Sequence, residues 1–443
     1  MSVESPSLQV DEQQSTVKPK AVAKADKHIW GIFIALCIIS TIELYSASSR
    51  EVASSSIGVM GPIIRHLVML GGGALIVWFL SKRHYSEFIP LTLGFAAVSV
   101  VMMVYVMFFG EIVNGARRSL TILGIGIYPA EMVKLSAVLL IALVMSWNPN
   151  TQKVGVTSKA VVYSGIIVLF LSGLLIEQGL TNTLLLLSIS YSMMIVGGVR
   201  LVHLLVLTVA YAACGGVFIL YLLLSEPKDI PADAEQKVEM IDGKEKKNPT
   251  RLDTWIARVQ RHGQDSVPKW EIPATGKNRQ EILSYMAQAN GGIYGVGPGN
   301  SREASRLPLA FSDYIFAIIV EELGLIGGIV VLVLYLWLLG RALGIASHCN
   351  RTYPALVVIG MAIMIVFQAL FHMGIVSGFF PVSGQPLPLL SKGGTSIAVT
   401  AIAFGIMLSI SRTATRQGSR KQDIRDEIDA LPEQFDAENQ MQL

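Results

Sequence analysis

Leu323-Gly324-Leu325-Ile326-Gly327-Gly328-Ile329-Val330-Val331-Leu332-Val333-Leu334-Tyr335-Leu336-Trp337-Leu338-Leu339-Gly340 contains no charged side chain and no proline. With the apolar turns before it, this run reads as one span near 313–339, long enough at about 1.5 Å per helical residue to cross a hydrocarbon core of about 30 Å. Further runs of the same kind lie near 30–47, 61–80, 89–109, 130–146, 160–177, 181–197, 201–224, 354–377 and 394–411. The chain is therefore expected to be an all-α integral membrane protein of about ten transmembrane helices, with one large outer loop, 225–312, between helices seven and eight.

Composition points the same way. Of 443 residues, 52% are hydrophobic and 15% charged, and the mean hydropathy is +0.54. That is too apolar for a set of soluble domains. The net charge of +3 is small, and the basic residues are scattered over loops. Without a basic stripe, nucleic-acid binding is excluded. Cys37 and Cys214 fall in apolar runs and Cys349 in a short polar loop. They offer neither a disulfide framework nor a thiolate metal site and read as packing thiols.

Lys and Arg in short loops set the orientation, because positive charge stays on the cytoplasmic side. Lys18, Lys20, Lys24 and Lys27 precede the first span, and alternate loops carry Lys82 with Arg83, Lys153 with Lys159, Arg200, and Arg341 with Arg351. Arg412, Arg416, Arg420 and Lys421 follow the last span. Both termini are thus expected in the cytoplasm. Gly31–Ile42 and Tyr45-Ser46-Ala47-Ser48-Ser49 have some character of a signal peptide. The long tail before them also carries acidic residues, and removing this span would break the charge alternation, so it reads as a retained helix. Residues 1–27 and 413–443 are polar and poor in aromatics and are expected to be disordered tails around a 28–412 membrane domain.

Charged residues inside or at the ends of spans are functional candidates, since each costs several kcal/mol unless paired or hydrated. One cluster is Asn114-Gly115-Ala116-Arg117-Arg118, followed by Tyr128-Pro129-Ala130-Glu131-Met132-Val133-Lys134. Pro129 suits a helix start, and Glu131 and Lys134 share a helical face. The arginines can touch lipid phosphates or grip a diphosphate, while the Glu131–Lys134 pair can be structural or line a polar cleft. A second cluster runs from Gly291 through Gly295, Gly297 and Gly299 to Asn300, Ser301, Ser312 and Asp313. Asp313 sits where the eighth helix should begin, placed either as a helix cap or as a carboxylate that meets substrate. Glu321 and Glu322 lie deeper, and being adjacent they cannot share a face, so at least one must turn toward protein or a hydrated cavity. A structural pair and a proton relay are both open there. The third cluster, Phe379 to Ser396, includes Ser391, Lys392 and Ser396 and three prolines. Such backbone cannot be a continuous helix and is expected to pack inward or line a cavity.

These motifs, in this order, resemble the SEDS family, whose branches are FtsW, RodA and SpoVE. The resemblance covers roughly 28–412 and rests on Asn-Gly-Ala-Arg-Arg, Pro-x-Glu-x-x-Lys, Gly-x-Gly-Asn-Ser through Asp313 to Glu321-Glu322-Leu-Gly, and Pro-x-x-Gly-x-x-Leu-Pro-x-x-Ser-x-Gly-Gly-x-Ser. Gly299-Asn300-Ser301 and Lys392 look most like the FtsW division branch, with RodA, the elongation polymerase, as the alternative. The resemblance implies a peptidoglycan glycosyltransferase of the inner membrane that polymerises lipid II at the outer face, for septal wall synthesis. It also implies a class B penicillin-binding protein as transpeptidase partner, alongside other division or elongation proteins.

By this resemblance Asp313 matches an essential outer-loop aspartate and would act as the base. Arg117, Arg118 and Lys134 would hold the diphosphate, with Glu131 orienting Lys134 and with Asn300, Ser301 and Lys392 at the substrate. Glu177, Glu321, Glu322, Ser391 and Ser396 are supporting candidates. Glu177 lies in Glu177-Gln178-Gly179-Leu180-Thr181-Asn182, where the family often has Gln-Pro-Asp-hydrophobic-Gly-Thr, and Phe311-Ser312-Asp313 stands where it often has His-Thr-Asp. A divalent cation, magnesium or manganese, is admitted by the resemblance alone, with no ligand spacing to locate it. A lipid II flippase and a non-catalytic scaffold are the rival classes. Against the flippase stand the absence of a visible repeat between the halves and the placing of the motifs at one side instead of the midplane.

Overall fold

The structure is a computed structural model and describes residues 25–47, 60–113, 116–122, 125–147, 156–176, 178–224, 278–307 and 310–429. In chain order it contains α1 (Lys27–Ala47), α2 (Met60–Lys82), a short 3-10 turn (Tyr85–Glu87), α3 (Phe88–Phe109), β1 (Glu111–Val113), β2 (Ala116–Ile122), β3 (Ile125–Ile127) and α4 (Pro129–Ser146). There follow α5 (Ser158–Ile176), α6 (Leu180–Val196), α7 (Leu201–Leu224), α8 (Arg279–Gly291), α9 (Ile315–Ser347), α10 (Thr352–Val376) and α11 (Gly394–Asp429). Among the described residues, eight helices are long and apolar enough to cross a membrane, and α6 and the Leu201–Ala213 part of α7 are shorter apolar helices. With the expected count of about ten thus met, the chain is a multi-pass membrane protein.

Lipid is a poor discriminator of apolar side chains, so burial inside the bundle separates the core helices from the rim. In α4, α10 and the apolar part of α11, 72%, 78% and 83% of the span residues are buried, against 22% in α2. These three form the core. They approach closely where small residues allow it: a Cβ on Gly360 of α10 would meet Met193 of α6 and Val138 of α4 at 2.7 Å, and one on Gly405 of α11 would meet Leu80 of α2 at 2.7 Å. The rim helices instead turn Val68, Leu75, Trp78, Leu91 and Val101 outward, as a lipid-facing surface requires.

The fold departs from the sequence reading at several points. The loop between α3 and α4 is a three-stranded antiparallel sheet in the order β1-β2-β3. Within the long loop 225–312, residues 279–291 form α8, which is bound to the end of α10 by hydrogen bonds from Ser284 Oγ and Gln288 Nε2 to the Val376 carbonyl, at 3.0 and 2.9 Å. The eighth span runs to Ser347 and is broken inside, at Gly324, where φ is 72° and ψ −175°.

That break leaves backbone groups free, and the glycine-rich loop takes them up. Val296 and Gly297 N–H donate to the Glu321 and Glu322 carbonyls, while Leu325 and Ile326 N–H donate to Gly292 and Ile293. A broken helix is tolerated at membrane depth when neighbouring protein satisfies it in this way.

The tail expected to be disordered from 413 continues instead as helix to Asp429. Residues 413–429 contain no proline and mix Arg, Lys, Asp and Glu at helical spacing, which lets the helix extend beyond its apolar part. The expectations for the tail ends, for Glu177 and for the 225–277 part of the long loop lie outside the described residues.

Gly324→Ala should unfold at a clearly lower temperature than the native chain, because L residues avoid this φ and a Cβ would collide with the Ile293 and Gly295 backbone. The strain is of order 1–3 kcal/mol. Gly340→Ala, in the same helix with open space around it, serves as the control and should show no loss. Thermal unfolding in detergent checks both, and equal melting of the two variants would contradict the account.

Candidate active site

A cavity of about 170 Å³ opens where α4, α9 and α11 begin, and it gathers side chains from five separate stretches of the chain. Its wall carries Arg118, Tyr128 and Glu131 from one side, Gln178 and Asn182 from another, Ser312 and Asp313 from the segment before α9, and Gln385, Lys392 and Ser396 from the segment around the start of α11. Two carboxylates and two cations therefore face one small space.

Strand alternation decides which arginine takes part. Adjacent residues on β2 point to opposite faces. Arg117 is exposed and turns back to the end of α3, where its guanidinium donates to the Phe108 carbonyl and, at 3.5 Å, to that of Met107. Unpaired carbonyls at a helix C-terminus favour such a cation. Arg118 is half-buried and lines the cavity, beside Gly179, whose added Cβ would lie 3.6 Å from its Nη2. The diphosphate-binding role expected of both arginines thus has support only at Arg118.

Lys134 is fully buried behind the cavity wall. Its Nζ donates to Glu131 Oε1 at 2.8 Å and to Gln368 Oε1 at 3.0 Å, and Gln368 Nε2 donates onward to the Pro386 carbonyl at 3.1 Å. Lys134 is therefore committed to α10 and the terminal loop, and of the expected pair only Glu131 lines the cavity. The direct contact with a ligand expected of Lys134 is not open to it, since its side chain is buried and does not line the cavity.

Asp313 is held by the same terminal loop. Lys392 N–H donates to the Phe311 carbonyl at 2.9 Å, and Ser391 Oγ donates to the Ser312 carbonyl at 2.7 Å while accepting from Leu387 N–H at 2.7 Å. Those bonds bring Asp313 against Gly384, where a Cβ would stand 2.9 Å from its Oδ2. Asp313 is half-buried. Burial pushes its carboxyl above the usual carboxylate range, and the Arg118 guanidinium and a hydrogen bond from Ser312 draw it partly back. The Lys392 ammonium lies 4.8 Å from the centre of the Phe311 ring.

The other expected site residues fold the loop instead of lining the cavity. Ser301 Oγ and Arg302 N–H donate to the Glu321 carboxylate, as does Asn290 Nδ2. Gly299 N–H donates to Glu322 Oε2 at 3.1 Å, and Asn300 Nδ2 to the Val296 carbonyl at 3.1 Å. Glu321 and Glu322 are both buried and neither lines the cavity. Gln178, Asn182 and Gln385 are wall residues that the sequence reading did not single out. The signal was a pair of polar side chains four residues apart at the start of an apolar run.

Next to the polar cavity lies an apolar groove of about 380 Å³ between α2, α3, α4 and α11. Gly72, Gly73, Phe95, Met132, Ala398 and Ile402 line it. The two spaces adjoin along the chain, at Glu131 and Met132 on α4 and at Thr395 and Ser396 on α11. Thr395 Oγ1 fixes that junction, accepting from Tyr128 N–H at 3.1 Å and donating to the Gly126 carbonyl at 3.2 Å. The arrangement suits an amphiphile with a charged head and a long apolar tail.

Among the described residues, no group of three or more His, Cys, Asp or Glu side chains is placed to hold a metal ion. The cavity's own carboxylates are Glu131 and Asp313. A hard divalent cation that arrives on a phosphate ligand needs only one or two carboxylates, so this donor set fits a cation of that kind.

Comparison with known proteins gives a consistent result. Residues 26–416 match the family model FTSW_RODA_SPOVE, described as cell cycle protein. A probable peptidoglycan glycosyltransferase FtsW of Coxiella burnetii is 28% identical over 394 residues, covering 84% of this chain and 95% of that one. Stage V sporulation protein E of Bacillus subtilis is 27% identical over 388 residues, covering 86% and 95%. Among solved structures, the rod shape determining protein RodA of Thermus thermophilus superposes with a TM-score of 0.58 at 22% identity, over 89% of this chain and 98% of that one. A chain from a peptidoglycan synthase complex superposes with a TM-score of 0.63 at 22% identity, over 88% and 98%.

Removing the cation beside Asp313 should make the acid harder to ionise. In Arg118→Met the ionisation midpoint of Asp313, followed by infrared spectroscopy of its carboxyl stretch, should move to higher pH than in the native chain. An unchanged or lower midpoint would show that Arg118 does not act on Asp313.

Proposed function

The chain belongs to the FtsW, RodA and SpoVE family of cell cycle proteins, and from that premise we propose that it is a peptidoglycan glycosyltransferase that extends glycan strands from lipid II. The observation that carries the reading is the meeting of a raised carboxylate, Asp313, with Arg118 and Lys392 in one cavity beside an apolar groove. A lipid-linked sugar diphosphate needs all three parts: a base, cations for the leaving group, and a path for the tail.

In this mechanism the 4-hydroxyl of the acceptor's terminal GlcNAc attacks the anomeric carbon of the donor's MurNAc. The new glycosidic C–O bond forms as the bond to the diphosphate oxygen breaks, with inversion, and the hydroxyl proton passes to Asp313. A base is most effective when its pKa lies nearer the working pH, which is the direction in which burial moves Asp313. Arg118 and Lys392 face the charge that develops on the departing undecaprenyl diphosphate, a preorganised electrostatic role. Lys134 acts through Glu131 and Gln368, by holding the wall and the terminal loop in place.

A divalent cation, magnesium or manganese, belongs to the same proposal; Glu131 would meet it, leaving Asp313 free as the base, and its charge would offset that of the diphosphate. Septal synthesis in division is the process assigned, with elongation of the RodA type as the second reading, because the structural neighbours include a RodA. The protein sits in the cytoplasmic membrane with both termini in the cytoplasm, by the distribution of Lys and Arg in its loops. A class B penicillin-binding protein is the proposed partner; a solved neighbour comes from a peptidoglycan synthase complex that coordinates polymerisation and crosslinking.

The test is reconstitution with lipid II, a class B partner and a divalent cation. Native protein should make glycan polymer, and Asp313→Asn should lose it by a factor of about 10²–10⁴. The loss will not come from unfolding. A carboxyl whose pKa is raised by folding holds its proton more tightly in the native state, so stability falls as pH rises from the ordinary carboxylate value through the raised one. Asp313→Asn removes that loss and should melt no lower than the native protein at neutral pH. Polymer from both proteins would eliminate Asp313 as the base, and lipid II translocation without polymer would make the protein a flippase.

A further inference from the structure

Two glutamines on the cavity wall have no part in the mechanism above, and their surroundings are specific. On α10, Gln368 and His372 stand one turn apart on one face. Gln368 Nε2 donates to the Pro386 carbonyl at 3.1 Å, and His372 Nδ1–H donates to the Gln385 carbonyl at 2.6 Å. These bonds clamp the backbone at 385–386. The side chain of Gln385 lines the cavity, where its Nε2 donates to Asn182 Oδ1 at 2.9 Å.

Among the neutral side chains on the wall, one amide acceptor, one amide donor and the Ser396 hydroxyl remain. Gln385 is 3% exposed and its Oε1 has no hydrogen-bond partner among the described residues; Gln178 is 2% exposed and its Nε2 likewise has none. A buried polar atom left unpaired costs about 1–3 kcal/mol, so two of them on the wall of one cavity call for a ligand that uses both. Neither group is charged, and Arg118 and Lys392 already supply cations to the same space. A partner that completes both glutamines must therefore offer a hydrogen-bond donor to Gln385 Oε1 and an acceptor to Gln178 Nε2.

A secondary amide has that pair of groups. We propose that Gln178 and Gln385 form an acetamido-binding subsite for the donor sugar, with Gln385 Oε1 accepting from the amide N–H and Gln178 Nε2 donating to the acetyl carbonyl. This rests on the glycosyltransferase reading. The 2-acetamido group hangs on the carbon beside the anomeric one, so whatever reads it must lie close to the reaction. Gln385 follows Gly384, the residue packed on Asp313 Oδ2. The subsite selects N-acetylated donors over sugars with a 2-hydroxyl, because a hydroxyl carries donor and acceptor on one oxygen close to the ring, whereas the acetamido group extends its N–H and C=O as two separate groups.

The test uses the full-length chain in lipid nanodiscs and two donors, lipid II and an analogue whose donor ring carries a 2-hydroxyl in place of the 2-acetamido group. The native protein should bind lipid II about tenfold more tightly than the analogue. Gln178→Met and Gln385→Met, which keep the side-chain length, should each weaken lipid II by about tenfold and the analogue by less than about twofold. Equal binding of both donors by the native protein overturns the subsite, as does equal weakening of both donors by the variants, which would mean a packing role. Should Gln385→Met misfold on losing its bond to Asn182, Gln178→Met carries the test, since its Nε2 has no bond to lose. Glycan polymer is measured in the same preparations: polymer without donor preference defeats the subsite alone, preference without polymer defeats the polymerase reading alone, and binding of neither donor defeats both.

Discussion

Lys134 places a full positive charge inside a bundle surrounded by lipid, with none of its side chain exposed. Desolvating such a charge costs several kcal/mol, and the attraction of Glu131 offsets it only because the geometry is good and Gln368 takes a further donor. An apolar trio of the same volume could stabilise α4 and α10 equally well. What it could not do is fix the terminal loop, because the chain of bonds runs from Lys134 through Gln368 to the Pro386 carbonyl. The polar knot thus sets the register of a loop that has no regular structure of its own.

From that loop the rest of the site follows. Tyr335, fully buried in α9, donates to the Pro388 carbonyl at 2.5 Å, and Leu389 adopts a φ of 62°, which an L residue accepts only when its neighbours insist on it. Ser391 and Lys392 then hold the segment before α9, and Asp313 comes to rest against Gly384. The broken α9 contributes in a parallel way. Its carboxylates and freed backbone groups bind the 291–302 loop, so the glycines of that cluster act as the filling of a helix break.

The bundle was legible because lipid imposes a single strong rule on each span, and the runs from 30 to 411 satisfy it with few charges. Asp313, Glu131, Lys392 and Ser396 were legible for the same reason, as polar residues where polarity is costly. Local pattern failed where the outcome depended on partners distant in the chain. Glu321 and Ser301 meet across 20 residues and Gln385 and Asn182 across 203, and no periodicity encodes either contact. The sheet before α4 was a different kind of omission, since Asn114-Gly115 between two short runs is a hairpin signal that the length of the neighbouring spans overshadowed. Once β2 is recognised as a strand, its alternation separates Arg117 from Arg118.

The proposed substrate is one amphiphile, with its diphosphate near Arg118 and Lys392, its sugar beside Asp313, and its tail along Gly73, Met132 and Ala398. The most direct measurement is a structure of Asp313→Asn with lipid II bound. The account predicts the diphosphate on the Arg118 and Lys392 side of the cavity, with the donor's anomeric carbon facing residue 313 and the tail in the apolar groove. Lipid II seated near the middle of the bundle, away from residue 313, would contradict it.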